Sequence, residues 1–234
     1  MPGSISLPLS DTVRRSLEWK RLKRSDAATN PMINLGNFSH TMPKEGPQTE
    51  ENVDYDVLIC ACLLHDIGRM EQFENPAICH AKAGAEKAYH FLMEKHFGED
   101  FAQRVAECIR THRYRSDDPP QSMEAKILFD ADKIDAAGAT GIARTLIYKG
   151  RVSEPLYSVL ADGSVSDGKN DISPSFFQEY QYKLKNVYSH FYTDKGTMMA
   201  RERQQAAEDF YNHIFNEVSS SYEKGVKLMG EHIV

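Results

Sequence analysis

The segment 57–70, VLICACLLHDIGRM, is apolar on nearly every side of a helical wheel until a histidine and an aspartate interrupt it. A helix of that kind belongs inside a bundle, because a surface helix needs a polar face. Its neighbours in sequence supply the surrounding elements. Residues 79–97 read as a second helix whose Ala81, Ala83, Gly84, Ala85 and Ala88 permit close approach, and residues 101–112 as a third with Val105 and Ile109 one turn apart. Pro119 and Pro120 precede a fourth, continuous helix over residues 122–150, with Ser122 and Ala125 flanking its first turn. Residues 150–175 lose helical periodicity and contain glycine and proline, which predicts a loop-rich insertion with a small hairpin at VLADGSV. Two final helices are marked by the apolar stripes Phe177, Tyr180, Leu184, Val187, Phe191 and Tyr211, Ile214, Val218, Tyr222.

Upstream of this pattern, residues 11–28 read as a short helix capped by Ser10 or Asp11. Residues 29–53 are punctuated too often by Pro31, Gly36, Pro43, Gly46 and Pro47 to be helical, and are expected to form an extended connector. No set of alternating strands and no internal repeat emerges. The expected fold class is all-α, organised as an N-terminal helix and connector over residues 1–53 and a helical domain over residues 54–234.

Composition narrows the function classes. The 234 residues hold 28 Lys and Arg against 34 Asp and Glu, with no basic block, so the sequence offers no electrostatic footprint for duplex nucleic acid. The N-terminus lacks the apolar stretch of a signal peptide, and no apolar run approaches the roughly 20 residues of a membrane helix. Cys60, Cys62, Cys79 and Cys108 lie inside helical patterns, as reduced core thiols of a cytoplasmic protein would.

The chemistry gathers on the helix that opened the pattern. His65 and Asp66 are adjacent in LLHDIGR. His80 opens the next helix and His112 closes the one after, while Asp130, Asp132 and Asp135 follow within LFDADKIDAAGA, where Leu128, Asp132 and Asp135 share a face. A carboxylate on a core-facing stripe is costly unless it is paired or bound to a metal. Imidazole with carboxylate suits a divalent transition ion, manganese or magnesium.

LLHDIGR, then HAKAGA, IRTH and DADKIDAAGATGIAR resemble the HD-domain superfamily of metal-dependent phosphohydrolases, and within it a branch of small bacterial proteins with nucleotide-hydrolysing members. The resemblance runs from about residue 53 to about residue 220 and includes a late T-x-x-G and A-R-x-R between Thr193 and Arg203. It implies an HD-type helical bundle in which His65, Asp66 and Asp132 hold a divalent ion (Mn, Mg, Ni, Co or Fe), with Asp130 and Asp135 supporting them. His80 and His112 match histidines that contact substrate phosphate or hold a second ion, and together with Asp66 they are the catalytic candidates. Lys133 and Arg144 are candidate phosphate contacts. The chain departs from the family where H-x-x-R-V is usual, about 30 residues before the HD pair. Residue 36, near that distance, is glycine, and the nearest histidine, His40, precedes His65 by 25 residues in a proline-rich stretch, where it is the candidate fourth ligand.

The activity so implied is hydrolysis of a nucleotide or another small phosphate ester or anhydride by metal-activated water, with aromatic and basic residues of the insertion, Tyr148, Arg151 and Tyr157, available to contact the substrate. The expected partners are this phosphorylated small molecule, with neither membrane nor duplex nucleic acid, and a homodimer stays open. Two alternatives stand beside it, a di-iron HD-type oxygenase and a non-catalytic HD module with a degraded metal site.

Overall fold

The structure is a computed structural model and describes residues 53–113 and 118–232. The expected helix at 11–28, the connector at 29–52 and His40 lie outside the described residues. Within them the secondary structure is helical: α1 Tyr55–Leu64, α2 Arg69–Glu74, α3 His80–Glu94, α4 Glu99–Thr111, α5 Met123–Ile134, α6 Gly138–Arg151, α7 Phe176–Tyr182, a 3₁₀ turn at Leu184–Ser189 and α8 Asp194–His232. The chain is all-α, as its patterning predicts. Among the described residues no helix is long and apolar enough to cross a membrane. The described residues form two compact units that divide between Asp132 and Lys133, in the last turn of α5.

In the first unit α1 is central. The Asp54 side chain caps it by accepting from the Asp56 and Val57 amides, and Val57 through Cys62 and Leu64 are buried. The alanine and glycine face of α3 does what small residues permit: Ala81, Gly84, Ala85 and Ala88 are buried, and the backbone of Gly84 approaches Ile109 of α4. Leu92, Ala102, Val105, Cys108, Ile109, Ala125 and Leu128 complete this core. Arg104 ties its rim by donating to Asp54 Oδ2 at 2.8 Å, while the Asp54 amide donates to Glu124 Oε1 at 2.7 Å. Cys60, Cys62 and Cys108 are free and buried, and burial pushes the Cys60 and Cys108 thiols up to about 12, which leaves them neutral core groups.

The HD segment is not one helix. After Leu64 the backbone makes a four-residue turn, and α2 begins at Arg69. Gly68 is needed there, since a Cβ at this position would meet the His80 carbonyl at 2.4 Å and the Gly84 amide at 2.5 Å. The turn therefore lies directly on the start of α3.

In the second unit the helix expected to run unbroken over 122–150 is two helices, α5 and α6, broken at residues 135–137. Gly138 adopts φ +68°, and the groups orphaned by the break find side-chain partners: the Ile134 carbonyl accepts from Arg203 at 2.9 Å and the Gly138 amide donates to the Tyr188 hydroxyl at 2.9 Å. The late sequence motif is thus largely architectural. Thr193 Oγ1 accepts from the Gly196 amide at the start of α8, and Arg203 clamps the α5 terminus.

The expected apolar stripes meet in this unit, where Phe177, Tyr180, Leu184 and Tyr211 are buried with Ile214, Val218 and Tyr222 packed against them. The Tyr180 and Tyr211 rings stack at 4.0 Å. The first stripe does not continue as one helix, because Lys183 departs from helical geometry and a 3₁₀ turn follows. In the insertion, Val159 and Val165 form an isolated antiparallel bridge around a turn at Gly163, the small hairpin that VLADGSV predicts.

Candidate metal centre

Helix ends build the site. His65 is the C-cap of α1 and His112 the C-cap of α4, and each bends its ring back onto a carbonyl three residues earlier: His65 Nδ1 donates to the Cys62 carbonyl at 2.9 Å, and His112 Nδ1 to the Ile109 carbonyl at 2.6 Å. Those carbonyls are among the acceptors that a helix C-terminus leaves without partners, so the termini settle the tautomer. His80 is the first residue of α3, and its Nδ1 donates to Gln72 Oε1 of α2 at 2.6 Å. All three rings therefore commit Nδ1 as the N–H and turn Nε2 inward.

The inward nitrogens surround Asp66. Oδ2 of Asp66 lies 3.4 Å from His65 Nε2, while Oδ1 lies 3.6 Å from His80 Nε2 and 4.0 Å from His112 Nε2, in neither case at hydrogen-bond distance. The His80 and His112 nitrogens are 3.2 Å apart, and the His65 and His112 rings meet edge to face with centroids 5.3 Å apart. His65 Nε2 is buried and makes no hydrogen bond. Asp66, His80 and His112 offer ligand atoms that all lie within 4.8 Å of one another. Two lone pairs and a carboxylate oxygen pointing at one small volume repel one another unless a cation lies among them.

The electrostatics agree. Burial opposes charge on Asp66, but His65 and then Arg69, whose Nε is 2.8 Å from Oδ2, hold its carboxyl well below the usual carboxylate range. Burial also opposes charge on His65, yet the nearby carboxylate of Asp66, joined by the charge of Asp132, raises it above the ordinary imidazole value. His80 goes the other way: burial, then its neighbours Arg69, His112 and Arg113, push it down to about 3.

Asp132 is half-buried on α5, Asp130, two residues earlier, is fully buried, and both are engaged in further interactions. Lys133, Asp135 and Arg144 belong to the second unit, where Arg144 Nη1 pairs with Asp135 Oδ2 at 2.9 Å. Two contributors escaped the sequence reading. Arg69 sits three residues after Asp66, a spacing that an HDxxR reading would have caught; Gln72 stands in an unremarkable polar stretch and carries no signal.

Residues 35–137 match the family model of the HD domain. The Bacillus subtilis protein YpgQ is 24% identical over 173 residues, spanning 72% of this chain and 76% of YpgQ. The crystal structure of YpgQ in complex with ADP superposes with a TM-score of 0.57 at 21% identity, covering 89% of this chain and 97% of that one. An HD-superfamily hydrolase from Bacillus thuringiensis gives 0.54 at 21% identity, covering 88% and 94%. At these identities the structures establish a shared fold.

Proposed function

This chain carries an HD domain over residues 35–137, and on that footing we propose that it is a metal-dependent phosphohydrolase acting on a nucleotide or another small phosphate ester or anhydride. The observation that carries the proposal is the convergence of three imidazole Nε2 atoms on Asp66, with every Nδ1 already committed as a donor. Nitrogen and carboxylate oxygen donors of this kind fit Mn, Fe, Co or Ni, and Mg less well. In this reading His65, Asp66 and Asp132 hold the ion, with His40 as a further ligand, and His80 and His112 either contact the substrate phosphate or hold a second ion with Asp66. The ion supplies Lewis acidity toward a phosphoryl oxygen and acidifies water.

The chain's own groups do the rest. Arg69 fixes the Asp66 carboxylate, and His80, kept neutral by burial, is suited to accept or relay a proton with His112 beside the leaving oxygen. The phosphate contacts assigned to Lys133 and Arg144 rest on the sequence resemblance. A nucleotide substrate is favoured because YpgQ was crystallised with ADP.

A second reading rests on how Asp66 divides its oxygens, Oδ2 toward His65 and Oδ1 toward His80 and His112. A carboxylate so placed can bridge two ions, which is also the arrangement a di-iron oxygenase would need. Metal analysis separates the readings: two redox-active irons per chain support the second, and any other metal content the first.

The deciding experiment incubates metal-reconstituted protein with a panel of nucleotides and phosphate monoesters and measures phosphate and pyrophosphate separately. Release from at least one nucleotide is expected. Binding without turnover under every divalent metal would favour the non-catalytic module. Proton linkage gives an independent check. Because His65 has a raised pKa, its proton competes with the ion on the acid side, so Mn²⁺ affinity should tighten, with proton release, as the pH rises through and beyond the ordinary imidazole range. Calorimetry in buffers of different ionisation enthalpy counts those protons, and affinity independent of pH would contradict ligation by His65.

A further inference from the structure

The three histidines of the centre are not held in the same way. His65 and His112 close helices, and each finds its Nδ1 acceptor in its own backbone, at Cys62 and Ile109. His80 opens a helix, where a carbonyl of its own final turn does not exist, and its Nδ1 acceptor is instead a side chain on another element, Gln72 of α2. Two of the tautomers are thus fixed by main chain and the third by one replaceable amide.

That third tautomer matters because of the 3.2 Å separation between His80 Nε2 and His112 Nε2. If each ring carries its one proton on Nδ1, the two Nε2 lone pairs face each other at hydrogen-bond distance with no proton between them. If His80 moved its proton to Nε2, it would donate to His112 Nε2, and the pair would be satisfied without any ion. We propose that Gln72 is a positioning residue that holds His80 in the Nδ1–H tautomer and so keeps the His80 and His112 pair open to a cation instead of closed by an internal hydrogen bond. The inference rests on the metal-site reading in the form in which His80 and His112, with Asp66, hold an ion of their own, and it requires no particular substrate.

The position of Gln72 is itself well supported. Gly68 seats the preceding turn on the His80 carbonyl and the Gly84 amide, and Glu71, next to Gln72, pairs with Lys87 of α3. Helix α2 is therefore held against α3 by the two positions that lead up to the amide that reads His80.

The test uses the full chain in metal-free form, ¹⁵N-labelled at histidine, with long-range proton–nitrogen correlation to assign each tautomer. In Gln72→Leu, His80 is expected to switch from Nδ1–H to Nε2–H while His65 and His112 stay as they are. Mn²⁺ affinity, measured by chelator competition without substrate, should weaken by about tenfold or more, the scale of losses when a ligand's supporting hydrogen bond is removed. Gln72→Glu, which keeps an acceptor in place, should retain the Nδ1–H form and bind Mn²⁺ within about threefold of the parent or more tightly. An unchanged His80 tautomer in Gln72→Leu, or a switched tautomer with unchanged Mn²⁺ affinity, would overturn the proposal. Should Gln72→Leu fail to fold, a switch to Nε2–H in Gln72→Glu overturns it equally. Absence of phosphohydrolase activity would sink the functional reading and leave these tautomer and affinity results intact.

Discussion

Replacing Asp66 by alanine is expected to abolish turnover, to below about one-hundredth of the parent rate, and to strip the protein of tightly held metal, with helical content unchanged. The size follows from what Asp66 touches. Its two oxygens face His65, Arg69, His80 and His112, so its removal takes away the one negative charge about which three inward nitrogens are arranged. Loss of groups that merely support a ligand costs 10 to 100-fold, and loss of the shared carboxylate should exceed that. The fold should tolerate the change because Asp66 lies in the turn between α1 and α2, caps neither, and pairs with an Arg69 side chain that is half exposed and can return to water. Equilibrium dialysis against Mn²⁺ and circular dichroism measure the two halves independently of the assay. Retention of more than about a tenth of the activity would count against ligation by Asp66.

Gly68→Ala should be the most damaging single methyl in the first unit. The added Cβ would sit 2.4 Å from the His80 carbonyl oxygen and 2.5 Å from the Gly84 nitrogen, both backbone atoms that no rotamer change can move aside. Either the turn or the first two turns of α3 must shift, and overpacking of this kind costs about 3 kcal/mol at the upper end of its usual range. Urea denaturation reads that loss. Because His80 moves with the displaced backbone, Mn²⁺ affinity should fall as well, even under conditions where the variant is fully folded. A variant with parental stability would show that the approach of turn and helix is looser than these distances state.

The parts of this molecule that were legible in the sequence are those where one residue type has one good physical solution. An all-round apolar stretch has to be a central helix, and small residues at helical spacing have to face another helix closely; α1 and α3 follow. The break between α5 and α6 was not legible. Alanine-rich sequence around Asp135–Gly138 reads as helix by local propensity, and what stops it is tertiary: Arg203 and Tyr188 arrive from 50 to 69 residues downstream to satisfy the groups the break exposes. At the site, His65, Asp66, His80 and His112 stood out by residue type and motif, and the structure brings these four together. The role of Gln72 was invisible, because a glutamine acquires it only through where α2 is laid on α3.

Three of these four residues occupy helix termini, and termini are where a helix opens first. Local fraying takes far less free energy than global unfolding, and it proceeds from the ends inward. The centre is therefore built on the backbone segments that let go earliest, while the core beneath it, from Val57 to Leu92 and Ile109, belongs to the segments that let go last. Mild heat or low denaturant should disarm the protein while its helices remain, and amide exchange at residues 65–68, 80–83 and 110–113 should run ahead of the core, so that loss of competence and loss of structure are separate events on the same chain.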